Sequence, residues 1–392
     1  MESEQTCMRE IEAERRRASH NGVRFPGVIF LFPPVGWQHV NMGRALYENN
    51  EIFAHAMHEC ADACSHLLQL PLLDVLYPDA LDESMYAELL QRPTYTFPAL
   101  FAVEYSLYSL FFNDACVPFA VIGHSVGEYV AAVAAGVLSM PTALALACAR
   151  GRAMESTPSS GSMMAVKASA GTAAAAIADA GVAAETVCVA AINGPQSCVL
   201  AGETQALSAT LKSLPKNTKI TRVRATHADH SPLMAPVADA LRASAGELYA
   251  ASPPAAPRCL WISTVTGATL TAEQACDSEY WARHTLSMVN FPAALTAAMA
   301  AFGERLASED KRSSALFFVE MGEGMLERFA SELTASAQHA SHTFEITSRS
   351  VLQPSGQADL AAEAKAAAER LDAVMRCVRA EKLQSFLLLG AA

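Results

Sequence analysis

Residues 119–135 read Phe-Ala-Val-Ile-Gly-His-Ser-Val-Gly-Glu-Tyr-Val-Ala-Ala-Val-Ala-Ala. Phe119 to Ile122 form a short, wholly apolar run, suited to a strand buried on both faces. Ser125 to Ala135 have the makings of a helix that leaves it. At the junction, Gly123-His-Ser-Val-Gly127 matches the pattern G-x-S-x-G. In that pattern a strand stops and a helix starts within about two residues, so the serine hydroxyl stands clear at the carboxyl edge of the sheet. Glycine on each side removes side chains that would clash in so tight a turn. The free N–H groups of the new helix favour negative charge at the serine. The bare pattern arises by chance in roughly one chain in fifteen of this length. The strand before it and the helix after it therefore carry the reading, and the bland alternative is an ordinary turn with an idle serine.

Working outward, Val28-Ile-Phe-Leu-Phe32 is a second buried strand before Pro33-Pro34. Helical spacing runs from Asn41 to Leu68 and from Phe97 to Phe112. Strands alternating with helices predict an α/β fold with a largely parallel sheet. The middle of the chain differs. Strand-like Met163–Val166, helical Thr172–Ala180, strand-like Val187–Ile192 and Cys198–Ala201, helical Gln205–Leu214 and strand-like Ile220–Val223 follow in the order βαββαβ, the ferredoxin-like unit. The α/β pattern then resumes with helix Pro232–Leu248, strand Cys259–Val265, helix Phe291–Phe302, strand Leu316–Glu320 and helix Met325–Leu333. The expected organisation is a helical leader at 1–22, a large subdomain over 23–160 and 227–350, an inserted small subdomain over 161–226, and a helical tail over 351–392.

Composition narrows the function. The 392 residues are 52% hydrophobic and 17% charged, with 28 Lys+Arg against 40 Asp+Glu and a net charge of -12. So apolar a chain buries a large core, and its negative field repels phosphate backbones, which argues against nucleic acid. The ten cysteines include no CxxC pair, and a large core has no need of disulfides, so a reduced, cytoplasmic setting is expected. No stretch reaches the ~20 apolar residues that span a bilayer. The first 17 residues mix five glutamates with four arginines, which fits neither a signal nor a transit peptide. Cys60 and Cys64 stand four apart on one helix with His55, His58 and His66 near. Such pairs are more often small core residues than metal ligands, and no metal is expected.

A serine hydroxyl attacks poorly unless a base takes its proton. The informative histidines lie in Thr226-His-Ala-Asp-His-Ser-Pro-Leu-Met234, where a strand ends and a helix begins. Such a loop can face the serine at the carboxyl ends of the strands. His124, beside the serine, packs or orients locally.

Together, Gly123-His-Ser-Val-Gly-Glu128 and His227-Ala-Asp-His-Ser-Pro-Leu-Met234 closely resemble the malonyl-CoA:acyl carrier protein transacylase family of acyltransferases, as found in polyketide and fatty-acid synthases. The likeness extends over about residues 26–350, through Pro98–Tyr105, Ala149–Met154, Ala191–Pro195, Tyr280–His284 and Phe318–Gly322. It implies an α/β-hydrolase-like large subdomain with an inserted ferredoxin-like one. By position it implies Ser125 as nucleophile, His230 as general base and Arg150 as the anchor of the free malonyl carboxylate. Backbone N–H groups of Val126 and Val35 would form the oxyanion hole, and a backbone carbonyl at His284 would orient the base. The physics agrees: Arg offers a permanently charged, planar fork to a carboxylate that would be costly to bury alone. The bland reading of Arg150 is a surface cation paired with an acid such as Glu155.

Three positions depart from the family. Pro34-Val-Gly-Trp-Gln38 stands where it usually has Gly-Gln-Gly-x-Gln. Phe97 replaces a Gln. Asp229 replaces the Phe common between the two histidines of malonyl-selective members. A carboxylate there has three options: to repel the malonyl charge, to pair with Arg150, or to face solvent. The expected reaction moves malonyl from malonyl-CoA to the phosphopantetheine thiol of an acyl carrier protein, with no permanently bound cofactor. The alternatives are a serine thioesterase and a catalytically weakened docking module. Lys216, Lys219, Arg222 and Arg224 offer a local basic patch for an acidic carrier protein, or a solvated edge. The start at Met1 and the end soon after the family boundary point to a discrete enzyme.

Overall fold

The computed structural model describes residues 27–79, 82–112, 117–158, 161–308, 315–337 and 345–352, with 366, 369, 370 and 372. The leader expected at 1–22 and most of the tail expected over 351–392 lie outside the described residues. In chain order the strands are β1 (Val28–Phe32), β2 (Ala120–Gly123), β3 (Gly161–Val166), β4 (Val187–Gly194), β5 (Ser197–Glu203), β6 (Ile220–Arg222), β7 (Leu260–Ser263), β8 (Ala268–Thr269), β9 (Val289–Asn290), β10 (Ala315–Glu320) and β11 (Glu345–Ser350).

They form two sheets. The larger has the order β11-β10-β1-β2-β7-β8 and is parallel except for β8 at its edge. β1 is apolar throughout because both its faces are covered. Its side chains divide by parity: Val28, Phe30 and Phe32 enter one core, Ile29 and Leu31 the other, as a period of two requires. The chain steps outward from β1 through β2 to β7, then returns to the far side of β1 with β10 and β11. In open parallel sheets ligands bind where that direction reverses, beyond the carboxyl ends of the strands, and here β1 and β2 end there side by side.

The smaller sheet has the order β6-β3-β5-β4-β9. Its first four strands are antiparallel and, with helices Ala170–Asp179 and Thr204–Ser213 between them, give the βαββαβ order. The fifth, β9, comes from far along the chain and adds to β4 in parallel. Two residues show no periodicity, so β9 leaves no mark in the sequence pattern.

Other differences are equally local. The helix expected from Asn41 to Leu68 is broken at Asn50, whose backbone is extended (φ -133°) and whose side chain accepts the Phe53 N–H. Such a cap begins a fresh helix, Glu51–Cys64, and apolar spacing does not register it. Pro232–Met234 forms a single 3-10 turn before the α-helix Ala235–Ala251. Cys60 and Cys64 are buried in the main core, and the seven described cysteines are free thiols. Among the described residues, no helix is long and apolar enough to cross a membrane and no three His, Cys, Asp or Glu side chains cluster as a metal site would need.

Candidate active site

The turn after β2 explains both glycines of the pattern. A Cβ on Gly127 would lie 2.1 Å from the Phe32 carbonyl oxygen on β1, and one on Gly123 would lie 2.3 Å from the Glu128 nitrogen. The new helix, Gly127–Ala134, is thus pressed against the strand beside it. Ser125 sits between them with φ +52°, a left-handed conformation that costs a non-glycine residue about 1–3 kcal/mol. Glu128 holds the turn from below. It is fully buried and accepts from Trp261 Nε1 at 2.6 Å and from the Thr264 N–H at 3.0 Å. The Thr264 hydroxyl lies 3.0 Å from both the Glu128 carboxylate and the Gly123 carbonyl. Burial pushes the Glu128 carboxyl up to about 7, against the pull of those donors.

His230 meets this serine from the loop after β6, with Nε2 2.7 Å from Ser125 Oγ. Its other ring nitrogen, Nδ1, lies 3.1 Å from the His284 carbonyl and 2.9 Å from the Ser287 carbonyl. Carbonyls only accept, so Nδ1 carries the proton and Nε2 presents its lone pair to the serine hydroxyl. Those carbonyls are available because helix Glu279–Leu286 ends there and its last oxygens have no partner within the helix. His230 also has a positive φ, +58°, which turns its side chain and that of Asp229 into the same crevice. Burial, followed by the charge of Arg150, lowers the imidazole to about 4, while Asp229 pulls it upward. A base with that value is uncharged at neutral pH and loses its lone pair only in acid. The reactivity of the Ser125 hydroxyl toward an electrophile should therefore stay flat as pH falls through 6.5 and decline only toward about 4. Intact-mass kinetics across that range give the profile, and a limb at 6.5 would mean an ordinary solvated histidine.

Arg150 reaches the same crevice from helix Met140–Ser156 and is completely buried. Its Nη2 donates to Asp229 Oδ1 at 2.8 Å. Its Nη1 lies 3.4 Å from His284 Nδ1, and the Phe97 ring sits 5.1 Å beneath the guanidinium. Of the three options for Asp229, the structure takes the pairing with Arg150. Glu155, the alternative partner for Arg150, instead accepts from Arg92 and Thr94. Phe97 supplies a π face to the cation in place of a polar contact. Two buried nitrogens, Arg150 Nε and His284 Nε2, have no hydrogen-bond partner. The Tyr129 phenol lies beside the same guanidinium, and donors left unfilled out of water call for an acceptor.

Val126 follows the serine and Val35 lies in the loop after β1, and no hydrogen bond among the described residues engages either backbone N–H. Gln38, in that same loop, accepts the Gly36 N–H at 2.6 Å and donates to Gln91 at 3.0 Å. His227 turns away from the serine: Nε2 lies 3.0 Å from the Thr157 carbonyl. His124 Nε2 lies 2.8 Å from Asn193 Oδ1 on β4. The Ser287 carbonyl and the Glu128–Trp261–Thr264 cluster are not among the residues expected from the sequence. The end of a helix, where carbonyls fall free, was the available signal for the first.

This geometry has relatives. The profile of the acyl transferase domain matches residues 29–307. The chain is 38% identical over 302 residues to polyketide synthase GfsB of Streptomyces halstedii, an alignment covering 76% of this chain and 5% of that protein. It is 34% identical over 274 residues to the spectinabilin polyketide synthase system protein NorB of Streptomyces orinoci, covering 70% of this chain and 12% of that one. The chain thus spans a small fraction of the curated relatives it matches. Among solved structures, the acyltransferase domain from the second module of the salinomycin polyketide synthase superposes with a TM-score of 0.68 at 34% identity, covering 86% of this chain and 71% of that one. At the level of fold alone, MCAT from Streptococcus pneumoniae superposes with a TM-score of 0.63 at 24% identity, covering 82% and 95% of the two chains.

Proposed function

The chain belongs to the acyl transferase domain family, and from that premise we propose that it moves malonyl from malonyl-CoA to the phosphopantetheine thiol of an acyl carrier protein, in polyketide or fatty-acid synthesis. The observation that carries this reading is Ser125 Oγ at 2.7 Å from a histidine nitrogen whose ring is fixed from behind by two carbonyls.

The chemistry follows from the tautomer. His230 Nε2 takes the hydroxyl proton as Ser125 Oγ attacks the thioester carbonyl. The resulting oxyanion is met by the N–H groups of Val126 and Val35, donors worth about 3–4 kcal/mol each in comparable sites. The C–S bond breaks, the imidazolium returns its proton to the departing coenzyme A thiol, and the acyl group stays on Ser125 as an ester. A carrier-protein thiol then gives its proton to His230 and attacks that ester, restoring the hydroxyl. Arg150, through its uncommitted Nε–H, anchors the malonyl carboxylate.

Intact mass tests this in order. Malonyl-CoA should add one malonyl group to the wild-type chain and none to Ser125→Ala, and carrier protein should discharge it. Discharge to water at the same rate without carrier protein would make the chain a thioesterase, and no adduct would leave only the docking reading. Arg150→Ala should lower the kcat/KM for malonyl-CoA by about 10²-fold or more, as loss of a buried charge partner does. Loading at the wild-type rate would remove Arg150 from the substrate's carboxylate.

The carrier protein has a natural landing place. Lys216, Lys219, Arg222 and Arg224 are all exposed, along and beside β6 at the edge of the small sheet. Arg222 to Thr226 and Gln91 line an opening of about 480 Å³, and the chain runs on from it directly into His227–His230. Reversing Arg222 and Arg224 to glutamate should raise the KM for carrier protein about tenfold and leave that for malonyl-CoA unchanged. Steady-state kinetics with each substrate varied in turn separates the two.

A further inference from the structure

Arg150 and Asp229 approach from opposite sides of the crevice, 79 residues apart in sequence, and meet at 2.8 Å. Their side chains are 0% and 4% exposed, so neither charge is dissolved by water. The pair sums to zero before any substrate arrives. The four other titratable side chains around it add nothing at neutral pH. His124 and His230 are each lowered to about 4 and His284 well below its ordinary value, burial being the first cause in all three. Tyr129, also buried and close to Arg150, has its phenol raised by burial and is neutral too.

A malonyl group entering this space brings a carboxylate, which leaves the closed crevice with one net negative charge beside Asp229. An uncharged acyl group leaves it neutral. Like charges brought together out of water repel strongly, and a buried charge without its own counter-ion is costly. Arg150 alone would reverse the preference, because the substrate carboxylate would then supply its missing partner. Arg150 Nε–H makes no hydrogen bond and leaves one donor for a second carboxylate, so malonyl is handicapped rather than barred.

Resting on the acyl-Ser125 reading above, we propose that Asp229 is a specificity-determining residue: by occupying Arg150 in the substrate's place, it opens the site to short uncharged acyl thioesters of the acetyl class alongside malonyl. Asp229 precedes His230 in the chain, so one turn of backbone sets both the base and the charge of the acyl site.

A competition decides it. Wild type, Asp229→Asn and Asp229→Ala are each mixed with equal malonyl-CoA and acetyl-CoA, and the two Ser125 adducts are counted by intact mass before turnover. Both adducts come from the same folded molecules, so the ratio is independent of how much protein is active. Wild type should carry both, in a ratio within about tenfold of unity. Removing the carboxylate should shift the ratio toward malonyl by at least about tenfold, since a like charge has been taken out of a dry site. A ratio that is unchanged, or that moves toward acetyl, overturns the proposal. So does a wild-type preference for malonyl above about a thousandfold, which needs no variant to fold. If wild type loads malonyl and passes it to carrier protein while the ratio fails, only the role of Asp229 falls. If neither ester acylates Ser125, the underlying function falls with it.

Discussion

His230→Ala should slow the acylation of Ser125 by about 10²–10⁴-fold, the usual contribution of a positioned proton acceptor. Among the described residues, His230 is the side chain hydrogen-bonded to Ser125 Oγ. His124 is the nearest in sequence, but its Nε2 is engaged by Asn193, and His227 lies against the Thr157 carbonyl. The rear support also belongs to this one ring, since the His284 and Ser287 carbonyls fix a single tautomer. Because binding is untouched, the loss should fall on the rate of adduct formation at saturating malonyl-CoA and not on its half-saturation point. Stopped reactions read by intact mass supply both numbers. A variant that acylates within a factor of a few of wild type would mean that the 2.7 Å contact is incidental.

Gly127→Ala should be the most damaging change outside the reacting groups. The added methyl would lie 2.1 Å from the Phe32 carbonyl oxygen and 2.8 Å from the Phe32 Cβ, distances no atoms tolerate. Backbone on both sides must give way: β1 at the centre of the larger sheet, or the helix Gly127–Ala134, which begins directly after Ser125 and the unengaged Val126 N–H. The stored strain at Ser125, with φ +52°, makes the turn less able to absorb it. A loss of about 3 kcal/mol or more is expected, at the upper end for single substitutions. Thermal unfolding checks it, and acylation should fall even in whatever fraction stays folded. A variant of wild-type stability would show that the strand and helix are not so tightly opposed.

Much of this site was legible in the chain because it is written locally. A strand, a glycine-flanked serine and a helix lie within seventeen residues, and the alternation that marks βαββαβ needs only the spacing of apolar positions. Patterns of that kind report which face of an element is buried. They do not report which two faces meet, and the contacts that tune the site are all of the second sort. Arg150 and Asp229 left three readings open until the helix Met140–Ser156 and the loop after β6 were set side by side. The Trp261 indole and the Glu128 carboxylate are 133 residues apart and look unremarkable in isolation. Ser287 contributes only a carbonyl, which no residue type advertises. β9 is two residues long and exists as a strand because β4 is already there.

That short strand has a consequence for motion. Val289 and Asn290 pair with Ala191 and Ile192 of the small sheet, while the Asn290 N–H donates to the Thr264 carbonyl just beyond β7 of the large one, at 2.7 Å. The His124–Asn193 and His227–Thr157 bonds rivet the same seam. Hydrogen bonds thus join the two halves on several sides of the nucleophile, and a jaw-like opening would have to break them. With the seam intact throughout, adduct formation should rise as a single exponential without a lag.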